Sequence, residues 1–495
     1  MQRNRVLFPL CLLLAAVHVF LFHDSGIGLN LLLFELAAAG VLWFIRPTAL
    51  PQTARWTLGG TMLSALMVAW HGSLLAVVLN LVSAALTVGI LLAPELRALH
   101  QSALLAAAHL PAVPGALLRA IPARGLADRA SITPRHVLSL AAVPLFLVLF
   151  GSMYRASNPF FDGFTEKALA AFDVDMALVG SIVLGLLVSG FILLPSHHER
   201  LMRWAAGTGD QLQPNGEATG PDVRREIFIA MLLLGGLNVL LLIVNALDIR
   251  HVWTGFQFDG QYLKQFVREG TYMLMLSIVL GAAIVLYFFR GDLNFACGAR
   301  PVRWLAYAWL GQNIVLALSV GMRNFWYIHY YALAYKRIGV GFFLLALCIV
   351  LALVVIKVQR GRSAHFLLRT GSVAVYAVAL VMALFNWDGI MARYNLAQQG
   401  KAFVHLDFLA TLSDKALPRL VRSPEDLALI DSYNASLIGG EEHYSRDLYM
   451  TPEAFRMHID QRVQDFLAEY PKRSWKEWNR ADEQAYRALQ DAPGD

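Results

Sequence analysis

The chain has 495 residues, 57% hydrophobic and 15% charged, with a formal net charge of +6 and a mean hydropathy of +0.53. Soluble proteins carry about 25% charged residues, so this composition excludes an ordinary soluble enzyme and points to a lipid bilayer. The basic excess needs no nucleic acid, because the cations gather on loops between apolar runs, where they set topology and meet anionic lipid.

A crossing helix needs about 20 mostly apolar residues. About eleven such runs are predicted, at 6–22, 29–45, 57–71, 73–93, 136–153, 177–195, 226–246, 271–289, 302–322, 338–357 and 365–385. No small-residue cleavage site follows the first, so it reads as a signal anchor. With the N-terminus inside, the inner segments hold twenty Lys/Arg and the outer loops eight. The positive-inside bias then puts the C-terminus outside. Cys11 and Cys348 lie in spans and Cys297 on an inner loop, so no structural disulfide is expected.

Four parts follow: a four-span segment at 1–93, a cytoplasmic loop with an interfacial helix at 94–135, a seven-span core at 136–385, and an outer helical domain at 386–495. In the loop, Glu95 to Leu110 reads as a helix on the membrane surface, broken by Pro111, Pro114 and Pro122. Residues 206–222, rich in Gly and polar residues, read as a flexible linker. From Asn386 the chain turns polar. Thr451-Pro452-Glu453 reads as a helix start, and Ala454, Ile459, Val463 and Phe466 as its apolar stripe. No internal repeat is evident, and eleven spans do not halve into two equal parts.

Polar groups inside spans are costly and tend to mark pathways or sites. Glu35 is the carboxylate deepest within a span, and His18 lies in the span before it. The short loop His23–Gly28 makes these spans a tight hairpin, so the pair could meet as a proton-sensitive couple or as packing glue. Asn238 and Asn245 share a face, and Gln312-Asn313 lies mid-span, with Gly235, Gly236 and Gly311 beside these amides. Unwound helices exposing carbonyls, as transporters use, or close packing with interhelical hydrogen bonds would both fit. His197-His198-Glu199 are adjacent, so their side chains diverge, and no metal or cofactor is implied. No phosphate loop, nucleophile elbow or HExxH motif appears.

A denser signal lies at the outer span ends. One end carries Arg155, Asn158 and Asp162. A second carries Arg323, Asn324, Tyr327, Tyr331 and Arg337, with Tyr335 continuing a stripe spaced by four. A third carries Asp388, Arg393 and Asn395. Guanidiniums beside rings suit a phosphate or sugar, while an aromatic belt with snorkelling Arg is the plainer account. The pattern predicts Asp388 within reach of Arg323 or Arg393, with Tyr327 and Tyr331 turned toward that cluster.

These segments resemble the bacterial multi-pass membrane proteins grouped as domain of unknown function 4153 and its relative 4173. The resemblance rests on Ala156 to Phe161, Phe266 to Gly270, Arg303 to Leu305, Arg323 through Arg337, Ala392 to Asn395, His405 to Leu409 and Leu412 to Pro418. It covers roughly 135–422 and implies a helical bundle but no reaction. Two departures stand out: the family's Tyr-Gly-Leu-Thr is Tyr331-Ala332-Leu333-Ala334 here, and its Asn-Pro-Asp is Asn386-Trp387-Asp388.

The expected fold is an all-α polytopic bundle in a bacterial inner membrane. Three functions fit: a non-enzymatic envelope scaffold, sensor or assembly factor; a transporter of a small solute or lipid using Glu35, His18 and the amides; and a membrane transferase using a lipid-linked donor, with Asp162 or Asp388 as base. No catalytic motif favours an enzyme. Expected partners are membrane lipids, an envelope protein, or an anionic lipid or sugar-phosphate at the outer face.

Overall fold

Apolar runs in lipid must close their own backbone hydrogen bonds, so they fold as helices. The structure, a computed structural model, describes residues 2–45, 50–96, 98–121, 147, 150–172, 175–196, 198–214, 221–254, 260–438 and 450–491. Every element of more than a single bridge among them is helical. Among the described residues eight helices are long and apolar enough to cross a membrane, with two shorter apolar ones at Val6–Phe22 and Leu29–Ile45. The chain is a multi-pass membrane protein. Most of the predicted run 136–153 lies outside the described residues.

The chain divides into two compact units, 1–206 with 473–480 and 207–472 with 481–495. The first holds α1 (Gln2–Phe22), α2 (Leu29–Ile45), α3 (Gln52–His71), α4 (Leu74–Leu92), α5 (Leu99–His109), α6 (Val113–Ala120), α7 (Pro159–Phe172), α8 (Met176–Leu193) and α9 (Glu199–Ala206). α1 and α8 run antiparallel. Cys11 meets the Ser189 carbonyl, Gly185 packs on Ala15 and His18, and His23 lies 3.6 Å from Asp175. Residues 473–480 cover the α1–α2 and α3–α4 loops. Leu29 N–H donates to the Trp478 carbonyl at 2.9 Å, and Arg480 lies over the Trp70 ring at 4.1 Å. Gly28 is required here, since a Cβ would sit 2.2 Å from the Glu477 carbonyl oxygen.

Leu99–Ala120 passes the length and composition test for a crossing helix, although the sequence places it on the surface. Its contacts lie at one end of the bundle. Ser102 abuts Gly89, and Leu105 packs with Ala93, Leu96, Leu201 and Ala205. His109 meets Ser196 and the Phe191 carbonyl, and Val113 and Leu117 meet Gly190. These partners cluster at the C-terminal ends of α4 and α8, so the segment lies across those ends, kinked by a 3-10 turn at Leu110–Ala112.

The second unit holds α10 (Pro221–Asp248), α11 (Gly260–Phe288), α12 (Arg300–Tyr331), α13 (Tyr335–Gln359) and α14 (Ala364–Ala383). It continues through α15 (Trp387–Ala397), α16 (Leu406–Ala410), α17 (Leu417–Leu420), α18 (Pro424–Ile438), α19 (Pro452–Glu469) and α20 (Arg480–Gln490). α12 is central and packs on α10, α11 and α13 around Trp309, Leu310, Leu316, Val320 and Leu351. Residues 209–212, part of the predicted linker, are pinned to the α13–α14 turn by a bridge between Gln211 and Arg362 and by Asp210–Arg369 at 2.6 Å. Within the predicted linker 206–222, residues 215–220 lie outside the described residues, and Pro221 and Asp222 already belong to α10.

After α14 the helices are short and share a second core: Met391, Leu396, Leu409, Leu417, Phe455, Ile459, Phe466 and Ala485, joined by Ile338 of α13. Thr451 accepts from the Ala454 N–H at 3.2 Å, as its N-cap role requires. The α19 stripe is Phe455, Ile459 and Phe466, with Val463 packed against it. Phe455 replaces the expected Ala454, which faces solvent one helical step away.

Candidate functional site: a polar lock at the helix ends

Asp388, in the first turn of α15, is the hub of the second unit's polar residues. The Tyr335 hydroxyl donates to its Oδ1, the Ser413 hydroxyl donates to Oδ2, and Lys415 Nζ lies 3.5 Å from Oδ2. Asp388 and Lys415 are both buried. The charges therefore neutralise each other, as buried ions must, and the carboxylate ties three separate segments together. The expected partners Arg323 and Arg393 make no ion pair with it. Arg323 instead reaches Asp248 of α10 at 2.5 Å, and both are buried. α10 and α12 run parallel, so their C-terminal ends bring these two charges together.

The turn between α12 and α13 is built around Arg337. Its Nη1 donates to the Tyr331 and Ala332 carbonyls and its guanidinium lies 4.2 Å over the Tyr327 ring. A cation here satisfies the carbonyls that every helix C-terminus leaves open and opposes the negative end of the dipole. Asn324 Nδ2 donates to the Arg337 carbonyl at 3.0 Å. Asn395 grips the turn from α15, accepting from Leu333 N–H at 2.7 Å and donating to the Leu333 carbonyl at 2.9 Å. Tyr327 and Tyr331 pack on each other at 5.1 Å, and Tyr331 meets the Phe403 and His405 rings, so their ring contacts lie with this turn and its neighbours. Tyr335 leaves the predicted stripe because the helix breaks at Ala332. Arg462 of α19 closes the network, donating to the Ala410 carbonyl and Asp414, each at 2.7 Å.

Arg155, Asn158 and Asp162 belong to the first unit and form a local set. Arg155 pairs with Asp162 at 2.7 Å with both about half exposed, and Asn158 accepts from the Phe160 and Phe161 N–H groups at the start of α7.

His18 and Glu35 do not pair. His18 packs between Phe22 and Phe34, with ring centroids 4.9 and 5.5 Å away. Phe34 thus occupies the α1-facing side of α2. A helix turns about 100° per residue, so Glu35 points elsewhere, toward the Asn80 amide of α4.

The mid-span amides interlock α10 and α12. Asn238 Nδ2 donates to the Leu234 and Leu305 carbonyls, Gln312 Nε2 donates to Asn238 Oδ1 at 2.7 Å, and Asn245 Nδ2 donates to the Gln312 carbonyl at 3.1 Å. Asn313 donates to the Trp309 carbonyl within its own helix. Both helices run unbroken, so no carbonyls are exposed by unwinding. Gly235, Gly236 and Gly311 face open space rather than a neighbour. The close approach is at Gly281, where a Cβ would meet Trp309 at 3.0 Å.

Sequence reasoning missed Asp248, Lys415 and Ser413 as partners. Asp248 was legible as an acid one turn past Asn245 on the same face. A third missed group joins His109, Ser196 and His198 in the first unit: Ser196 Oγ lies 2.6 Å from His109 Nδ1 and 2.8 Å from His198 Nε2. His197 lies outside the described residues. Among the described residues no three His, Cys, Asp or Glu side chains are grouped to hold a metal.

Residues 10–423 match the family described as "Domain of unknown function (DUF4153)", so the chain belongs to that family. Neither a curated protein nor a solved structure matches it.

Proposed function

We propose that this chain is a non-enzymatic envelope protein of a bacterial inner membrane, with its C-terminal helical domain fixed on the outer side to meet a partner. The observation that carries the reading is the saturation of Asp388. A general base needs a free lone pair facing a substrate. This carboxylate is buried and already accepts two hydroxyls and an ammonium, which suits a lock between helices. Asp162, the other candidate base, is held by Arg155. Of the amides considered for transport, Asn238, Asn245 and Gln312 donate across the α10–α12 contact and Asn313 donates within its own helix, which supports packing over a solute path. The sidedness is supported within the first unit. Residues 473–480 lie on the α1–α2 and α3–α4 loops, at the opposite end from the start of α1, so an N-terminus inside places that segment outside.

The test is complementation of a deletion strain's envelope phenotype. Lys415→Met alone strands a buried carboxylate and should deplete the protein. Asp388→Asn with Lys415→Met removes both charges and keeps hydrogen bonding, so it should restore both protein level and phenotype. A folded double variant at native abundance that fails to complement would establish Asp388 as a chemical participant and overturn the reading.

A further inference from the structure

A solvent-facing groove of about 490 Å³ in the second unit is lined by Arg393, Leu396, Ala397 and Gln399 on one side and by Arg419 and Arg422 on the other. Its volume is in the range of small-ligand sites. Three guanidiniums share it. Among the described residues, Arg393 and Arg419 make no hydrogen bond or ion pair. Arg422 lies 3.7 Å from Asp426, and its Nε is buried without an acceptor. Other cations nearby are matched: Lys415 by Asp388, Arg462 by Asp414 and Arg456 by Asp460. Like charges gathered around one cleft repel unless an anion joins them. The fold also makes room for one of them, since a Cβ on Gly389 would meet Arg419 Nη1 at 3.1 Å.

We infer that Arg393, Arg419 and Arg422 form a binding site for a phosphate-bearing anion, with Leu396 and Ala397 as the apolar wall for the rest of that ligand. Guanidiniums bind phosphate through paired N–H donors, and three around one group would surround it. The groove's place fits a headgroup. Trp387 packs with Phe342 and Phe385 just after α14, the kind of ring cluster found at the membrane surface. Arg393 follows six residues on, about 9 Å along the helix. The phosphate could belong to a lipid headgroup or to a soluble phosphoester. The inference stands on the groove and does not rest on the scaffold reading.

The test uses the full chain. Soluble probes are inorganic phosphate and glycerol 3-phosphate, titrated in neutral detergent. The lipid probe is a phosphatidylcholine nanodisc with or without phosphatidylglycerol. Saturable binding of the soluble probes, weakened at least about ten-fold in Arg393→Gln and Arg419→Gln and falling with salt, supports a soluble ligand. A higher unfolding temperature in the phosphatidylglycerol disc, absent in the same variants, supports a headgroup. The Gln variants keep a polar, unbranched stem without the charge, and an unfolding temperature equal to that of the native chain in pure phosphatidylcholine shows that they fold. Folded variants that respond to every probe as the native chain does, or a native chain that responds to none, would overturn the site.

Discussion

At Ala332 the backbone takes φ +59°, ψ −169°, a region in which only glycine is at ease. A Cβ there costs about 1–3 kcal/mol. The surroundings hold it: Arg337 donates to the Ala332 carbonyl, and Asn395 clamps Leu333 on both backbone groups. Ala332→Gly should release the strain but also remove a buried methyl, worth about 0.8 kcal/mol, and add about 0.5–1 kcal/mol of chain entropy. The net sign is therefore small. The comparison with Ala334→Gly is decisive, because Ala334 sits two residues on in ordinary extended backbone, φ −149°, ψ 159°. Both substitutions remove a methyl and add entropy; the position-332 variant alone relieves strain, while the position-334 variant gains a smaller amount because Ala334 is the N-cap of α13, where glycine is preferred over alanine. It should be the more stable of the two by about 1–2 kcal/mol, at roughly 1 °C per kcal/mol for a chain of this length. Thermal unfolding in detergent, followed by tryptophan fluorescence, measures the difference. Equal midpoints, or a lower one for Ala332→Gly, would mean that the turn carries no strain.

Breaking the buried Arg323–Asp248 pair by Arg323→Met should cost about 3–5 kcal/mol, and adding Asp248→Asn should recover most of it; a denaturation midpoint for the double variant no higher than for the single would count against a paired charge. A C-terminal alkaline phosphatase fusion should be active and a C-terminal green fluorescent protein dark, while fluorescent protein fused after Ala120 should be bright. A bright C-terminal fusion would refute the outer placement of the C-terminal domain.

The helices were legible because apolar length decides them in lipid. The N-cap at Thr451 was legible because its chemistry is local. What could not be read was which polar group meets which. Phe34 and Glu35 are adjacent in sequence, yet a single helical step sends one to His18 and the other toward Asn80. The direct partners of Asp388 were hidden for a different reason. Its ammonium partner, Lys415, comes from a segment that periodicity does not orient, while Arg323, close by in the predicted span ends, found its acid on a parallel helix.

The break at Ala332 also separates two roles that look alike in sequence. Arg337 donates to the Tyr331 and Ala332 carbonyls, Lys357 of α13 to the Phe289 carbonyl just past α11, Arg303 to the Asn294 carbonyl and Arg462 to the Ala410 carbonyl. Helix C-termini end in unpaired carbonyls, and inside a membrane protein little water reaches them. A long cationic side chain can reach such a carbonyl from another turn or helix and oppose the dipole at the same time. These cations are spent on the backbone, so they offer a ligand nothing. Arg393 and Arg419 cap no carbonyl and meet no acid among the described residues, and they converge with Arg422 on one groove, which sets them apart from the arginines that cap carbonyls.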